Sequence, residues 1–227
     1  MELEQVLAAR RSTRRFDPER DVPDEVLERV LAAPLAMPHA GNTYDWRGVV
    51  LRRRERDPEV WPAVHEALMR QSYVDEAAAV VVWAVQPQWW AARYRANVEE
   101  LLGRGLVDRD RAGDLLEMVE DGPDAGNLTT GLVGEAMMGV AAAMLVALDA
   151  GLGATVTAVG KPGLLVRALG IPKDAVLCPW GVLALGYAAE PVAASGTGTG
   201  GPPAAAPKPA VDGMYFEGRW GEPVRHG

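Results

Sequence analysis

Between Gly134 and Ala150 the chain carries one long apolar stretch, broken only by Glu135 near its start and Asp149 near its end. Read as a helix, it is apolar nearly all round, and such a helix has to be covered on every side. At 1.5 Å per residue it is roughly 25 Å long, short for a bilayer crossing of about 20 apolar residues. Protein must therefore supply the cover, and in a chain of this size a subunit interface is a natural place for it. Gly139, Ala142 and Ala143 allow close helix approach, and Gly151-Leu152-Gly153 supplies the glycines that end a helix.

A second stretch narrows the fold class. Ala77–Val85 is short, valine-rich and almost wholly apolar, which suits a central strand buried on both faces. Further strands are expected over Trp46–Leu51, Ala154–Val159 and Ala175–Tyr187, the last two enclosing a brief helix at Leu164–Leu169. Before them, a helix over Met1–Ala9 places Leu3, Val6 and Leu7 on one face. A second starts at Asp21-Val22-Pro23-Asp24 and presents Val26, Leu27, Val30, Leu31 and Leu35 at helical spacing. A third is expected around Pro58–Arg70. Helices interspersed with four or five strands make an α+β sandwich.

The 227 residues are 48% hydrophobic, enough for one sizeable core, and residues 1–192 are read as one domain. Residues 193–207 are rich in Gly, Ala, Pro, Ser and Thr and read as a linker. Within it Gly196–Gly201 lacks the Lys-Ser/Thr ending of a phosphate loop. Residues 208–227 regain Met214, Tyr215, Phe216 and Trp220 and are expected to dock on the domain or on a partner subunit. The net charge of −8 argues against general nucleic-acid binding, and no membrane association is expected. Cys178 is the single cysteine and reads as packing; with no secretory pattern at the start, a cytoplasmic protein is expected. His39, His65 and His226 lack ligand spacing, so no metal site is expected.

Two motifs carry chemistry. Ala8–Phe16 packs Arg10, Arg11, Arg14 and Arg15 around Ser12 and Thr13. That concentration of planar donors matches a compact dianion such as phosphate, although short arginine runs are also solvated faces. A break near Ser12 would let Arg10, Ser12 and Arg14 converge on one ligand. The other motif is Pro38-His39-Ala40-Gly41-Asn42-Thr43-Tyr44-Asp45-Trp46, a turn leading into the first strand. Between residues 86 and 124 two charged amphipathic helices follow Gln88-Trp89-Trp90, either as a lid over a substrate or as a surface pair packed on the core.

In order and spacing the two motifs resemble the FMN-dependent nitroreductases, and the resemblance runs over nearly the whole chain. It implies a three-layer sandwich, with a mostly antiparallel sheet between helices, in an intertwined homodimer. It also implies FMN as cofactor, its phosphate held by Arg10, Ser12 and Arg14 with Arg11 alongside. Lys208 would add a basic group from beyond the linker. Pro38, His39, Ala40 and Asn42 correspond to the turn that lies along the flavin, contributed by the other subunit. Arg70 and Gln71 take the place that meets the pyrimidine edge, and Ala158, Val159 and Gly160 the place where a backbone N–H meets N5. The turn departs from the family pattern at His39-Ala40 and Tyr44-Asp45, and the family's Glu before the N5 segment is missing.

The implied activity is hydride transfer from NADH or NADPH through FMN to a nitroaromatic, quinone or other conjugated small molecule, with ping-pong kinetics. No GxGxxG follows a strand, in keeping with one flavin face serving both substrates. Tyr94 is a candidate lid proton donor or a packing residue beside Trp89 and Trp90. Two alternatives stand beside this activity: a flavin oxidase or dehydrogenase that desaturates a biosynthetic intermediate, and a flavin-binding protein without turnover.

Overall fold

The computed structural model describes residues 2–120, 122–189 and 214. The chain divides into two compact units, Met1–Val192 and Ala193–Gly227. Apart from Met214, the second unit lies outside the described residues, and with it Lys208, the expected linker and the expected docking segment.

Within the first unit the elements run α1 (Leu3–Ala9), α2 (Asp24–Ala32), β1 (Trp46–Arg52), α3 (Trp61–Ala67), α4 (Ser72–Glu76) and β2 (Ala79–Val85). Then follow α5 (Trp90–Gly103), α6 (Arg109–Glu120), α7 (Ala125–Asp149), β3 (Gly153–Thr157), α8 (Pro162–Ala168) and β4 (Val176–Gly186). The four strands form one sheet in the order β1-β2-β4-β3, and every neighbouring pair is antiparallel.

β2 decides the layering. Every residue from Ala79 to Val85 is buried, and alternate side chains serve opposite faces, as the pleat requires. Val81, Trp83 and Val85 join a core with α2, α5, α6 and α7. Val80 and Val82 join a second core with Phe16, α3, α4 and α8. Helices therefore cover both faces, giving the expected three-layer sandwich with an antiparallel sheet.

The long apolar helix begins earlier than its hydropathy suggests. α7 spans 25 residues from Ala125, because Asp124 caps it, accepting from the N–H groups of Gly126 at 2.9 Å and Asn127 at 3.0 Å. Its length and composition would also suit a membrane crossing. However, Leu132, Ala136, Gly139, Val140, Ala143 and Ala147 form a buried stripe that lies over β2, β3 and β4. α7 is the core helix of this unit. Gly139 is needed for the close approach of α7 to the segment after α2: a Cβ there would stand 2.9 Å from Pro34 Cβ. On the opposite side of α7, Gly131, Gly134, Met138 and Ala141 are exposed. Of the expected apolar face of α1 only Val6 is buried, and Leu3 and Leu7 are exposed.

α4 was not expected from periodicity, since five residues are too few to display one. Its end is organised by Arg56, whose guanidinium donates to the carbonyls of Val74, Asp75 and Ala77 at 2.7–3.1 Å and stacks on Trp61. Burial pulls the pKa of Arg56 down to about 10, so it still carries its charge at neutral pH. Cys178 is buried, and that burial pushes its thiol up to about 12, which leaves it a packing group.

Candidate functional site

The arginine segment is positioned by β3. α1 stops at Ala9, and Arg10 leaves it with extended ψ while its N–H closes the last turn on Val6 O at 2.9 Å. Thr13 then donates its backbone N–H to Ala154 O at 3.1 Å. Its side chain is buried against Gly153, where a Cβ would stand 2.6 Å from Thr13 Oγ1. Glycine at 153 thus lets the segment lie flat along the edge strand. Phe16 is buried, bridges Ala188 and donates its N–H to Glu76 at 2.9 Å.

Pinned at Thr13 and Phe16, the four arginines divide by task. Arg11 donates to Ala8 O and Arg10 O, satisfying carbonyls at the end of α1, and Arg15 pairs with Glu76 at 3.5 Å. Arg10 and Arg14 form no ion pair among the described residues. Arg14 lies over the ring of Tyr73 at 5.4 Å, and the Tyr73 hydroxyl donates to Thr157 Oγ1 at 2.9 Å.

The expected pyrimidine-edge and N5 segments come together beside this one. Met69 and Arg70 leave α3 in left-handed conformation, at φ 61° and 53°. Met69 packs so closely on Gly160 that a Cβ there would stand 2.5 Å from Met69 Cγ. Gly160 and Lys161 both donate their N–H groups to Ala67 O, at 3.0 and 3.1 Å. Glu66 spans the junction, accepting from both Lys161 and Arg70. Those two bonds, Lys161 foremost, hold its carboxyl below the usual carboxylate range. Gln71 accepts from Val74 N–H at the start of α4. Val159 donates to Pro179 O at 3.1 Å, so Ala158 is the one of the three expected donor positions whose N–H is not spent on a described loop carbonyl.

The turn before β1 sits at the other edge of the sheet. Gly41, Asn42 and Tyr44 all have φ between 49° and 61°, a costly concentration of left-handed backbone for two residues with side chains. Its surroundings hold it there. Glu135 reaches out of α7, accepting the Ala40 N–H at 2.9 Å and facing His39 Nδ1 at 3.4 Å. Trp46 Nε1 donates to His39 Nε2 at 3.4 Å, and the same nitrogen lies 3.5 Å from Pro34 O. The His39 side chain is 0% exposed, so its imidazole is a strut inside the turn.

From the other side α5 clasps the same turn. Arg93 donates to Tyr44 O at 3.1 Å and to the buried Asp45 at 2.9 Å. Asn97 donates to the carbonyls of Gly41 at 2.6 Å and Asn42 at 3.0 Å. The Tyr94 ring covers Gly41, where a Cβ would stand 2.1 Å from it, and tilts against Trp90 at 5.2 Å. Tyr94 is only 7% exposed and belongs to the main core. It also borders a cavity of about 380 Å3 between the turn and the α5–α6 excursion, with Asn42, Asn97 and Leu101. Pro38, Ala40 and Asn42 remain on the outer surface of the turn.

The two groups of residues therefore occupy opposite edges of the sheet. β2 and β4 stand between β1 and β3, and the two groups also lie toward opposite ends of the strands, the turn level with Val85 and Val176 and the Thr13 contact at Ala154 level with Leu185. Sequence reasoning singled out both segments but missed what braces them: Glu66, Arg93, Asn97 and Glu135. A lone carboxylate inside an apolar helix was the available signal for Glu135, since a buried charge needs a partner.

An antiparallel sheet between two helical layers, with a basic segment on one edge strand and a braced turn on the other, has the architecture of a flavin oxidoreductase sandwich. The chain belongs to the Nitroreductase family, whose model matches residues 7–187. Among solved structures it is similar to a nitroreductase-like protein from Streptococcus mutans, with a TM-score of 0.72, 19% identity, and 93% of this chain and 96% of that one covered. It is similar also to a protein from Exiguobacterium sibiricum, named as a nitroreductase and solved in complex with FMN. There the TM-score is 0.70 and the identity 20%, covering 84% of this chain and 90% of that one. A relative named NADH dehydrogenase, from Thermus thermophilus, is 43% identical over 75 residues, 32% of this chain and 33% of that protein's length.

If Glu135 braces the turn, Glu135→Ala should destabilise the fold by roughly 1.5–3 kcal/mol, the worth of a hydrogen bond to a charged group. Glu135→Gln, which keeps an acceptor for Ala40 N–H, should lose less. Urea denaturation of the three proteins checks this, and equal midpoints would remove Glu135 from the brace.

Proposed function

We propose that the chain is a cytoplasmic, FMN-dependent oxidoreductase that carries hydride from NADH or NADPH to a nitroaromatic, quinone or other conjugated acceptor. The carrying observation is the pair Arg10 and Arg14. Both guanidinium groups lack an ion-pair partner among the described residues, on a segment pinned by Thr13 to β3. Two arginines without an ion pair among the described residues, at a fixed spacing, fit a phosphate monoester, whose oxygens accept charge-assisted bonds. When bound, FMN supplies the hydride chemistry.

The chain's own part is to bind and orient. Arg10, Ser12 and Arg14 hold the phosphate, with Arg11 stiffening the segment through the end of α1, and Lys208 adds a cation from beyond the linker. Arg70 and Gln71 meet the pyrimidine edge, and Ala158 offers the backbone N–H to N5. Pro38, Ala40 and Asn42 cover the ring from a second protomer, with His39 as their support. Tyr94, close under that turn, is the candidate to hold a proton for the acceptor. A homodimer is supported by the placement of the two groups on opposite edges and toward opposite ends of the sheet. The exposed Leu3, Leu7 and Met138 and the bare outer side of α7 also support it, because apolar surface of that kind marks an interface.

Two outcomes test the reading. Arg10→Ala/Arg14→Ala should lower FMN affinity by about tenfold or more, given roughly 1.5–3 kcal/mol per charge-assisted bond; wild-type affinity in the double variant would refute the phosphate assignment. Under anaerobic conditions NADH or NADPH should bleach the bound flavin, and a quinone should restore its colour. Failure of both nicotinamides would leave the desaturating oxidase as the better account.

A further inference from the structure

A separate cavity of about 230 Å3 lies on the α8 side of the sheet, and strand register sets its floor. Arg47 stands opposite Ala84 and Val49 opposite Val82, so the pleat sends all four side chains to one face. On that face Val82 shares a core with α3, α4 and α8. Ile171 and Pro172, from the loop after α8, close the space, with Trp89 beside them. None of the arginine segment, residues 70–71 or residues 158–160 contributes to it. The space falls below the roughly 300–1,000 Å3 of drug-sized sites, so it suits one ring or a fused pair.

Arg47 brings charge to this apolar wall, and its exposure puts it at the mouth. Its Nη1 donates to Tyr44 O at 3.1 Å and Trp46 O at 2.6 Å, which fixes the side chain. A guanidinium has five N–H donors, and Nη1 accounts for two of them. Arg47 forms no ion pair among the described residues, and its Nε and Nη2 donate to none of them. The edge left over is the side-on one, which can meet a carboxylate through two parallel bonds.

The surroundings are short of negative charge. Arg93 lies 4.6 Å and Arg47 5.3 Å from the Trp89 ring, so two cations flank one indole. Asp45 is the carboxylate at hand, and Arg93 takes it at 2.9 Å. Lys173 and Asp174 on the loop after α8 offset each other in charge. Burial, with Arg93 nearby, lowers the pKa of Arg47, and an anion at the mouth would relieve that repulsion.

We propose that this cavity binds an aromatic carboxylate, its ring on the apolar floor against Trp89 and its carboxylate side-on to Arg47. The carboxylate supplies the missing counter-charge, and the ring takes the space that Val49, Ala84 and Ile171 leave dry. A ring also loses less conformational freedom on binding than a flexible chain does, and Trp89 offers it an aromatic face. The site uses no residue assigned to FMN and stands whether or not flavin binds.

Benzoate titrated calorimetrically into the purified full-length protein tests this, with benzyl alcohol as the uncharged control and hexanoate as the control without a ring. Saturable binding of benzoate at one site per chain is expected, with benzyl alcohol weaker by about tenfold or more. Hexanoate should also bind more weakly than benzoate. Arg47→Leu should bring benzoate down to the level of benzyl alcohol, with flavin content unchanged. Ala175→Phe, which adds bulk at the cavity wall, should weaken benzoate although Arg47 is intact. Equal affinity for benzoate and benzyl alcohol, wild-type affinity for benzoate in Arg47→Leu, or no saturable binding to the wild type would each overturn the site. Hexanoate as tight as benzoate would overturn the aromatic assignment. Should Arg47→Leu fail to fold, benzoate against benzyl alcohol on the wild type, together with Ala175→Phe, decides.

Discussion

β2 is buried on both faces, and most of the molecule follows from that. Each face needs a helical cover, and the two cores built on alternate β2 residues use up α2, α5, α6 and α7 on one side and α3, α4 and α8 on the other. Nothing polar of any size can then sit over the middle of the sheet, because a buried charge without partners is too costly. Polar clusters are pushed to the sheet's edges. One edge, β3, receives the arginine segment, and the other, β1, receives the left-handed turn.

The polar braces explain why these edges hold their shape. Glu135 interrupts the apolar character of α7 only to fix the turn through Ala40 and His39. Arg93 and Asn97 lock the other side of that turn, so the α5–α6 excursion is continuous with the turn's support. Glu66 plays the matching part at the far edge, tying the end of α3 to the loop after β3. In each case side chains distant in sequence stabilise a backbone that its own residues would not choose.

This division also decides what was legible in the sequence. Strand β2 was, since an unbroken valine-rich run has few other uses, and so was the arginine segment, whose donors lie within a few positions of one another. The start of α7 was not, because Asn127, Thr129 and Thr130 conceal a helix that the Asp124 cap establishes. Nor was the clasp of Asp45 by Arg93, or the strut of His39 on Glu135, which join residues 48 and 96 positions apart. Local composition carries propensity and charge; it carries no record of which distant side chain will supply the missing hydrogen bond.

The central claim is that each flavin site takes its phosphate segment from one protomer and its covering turn from the other. Mixing two disabled proteins tests it directly: Arg10→Ala/Arg14→Ala, which lacks the phosphate grip, and Ala40→Trp, which puts bulk on the exposed face of the turn. After subunit exchange, heterodimers isolated by two affinity tags should regain FMN at one site per dimer, although neither parent binds it well. Heterodimers as empty as their parents would place both groups in the same site of one protomer and contradict the account.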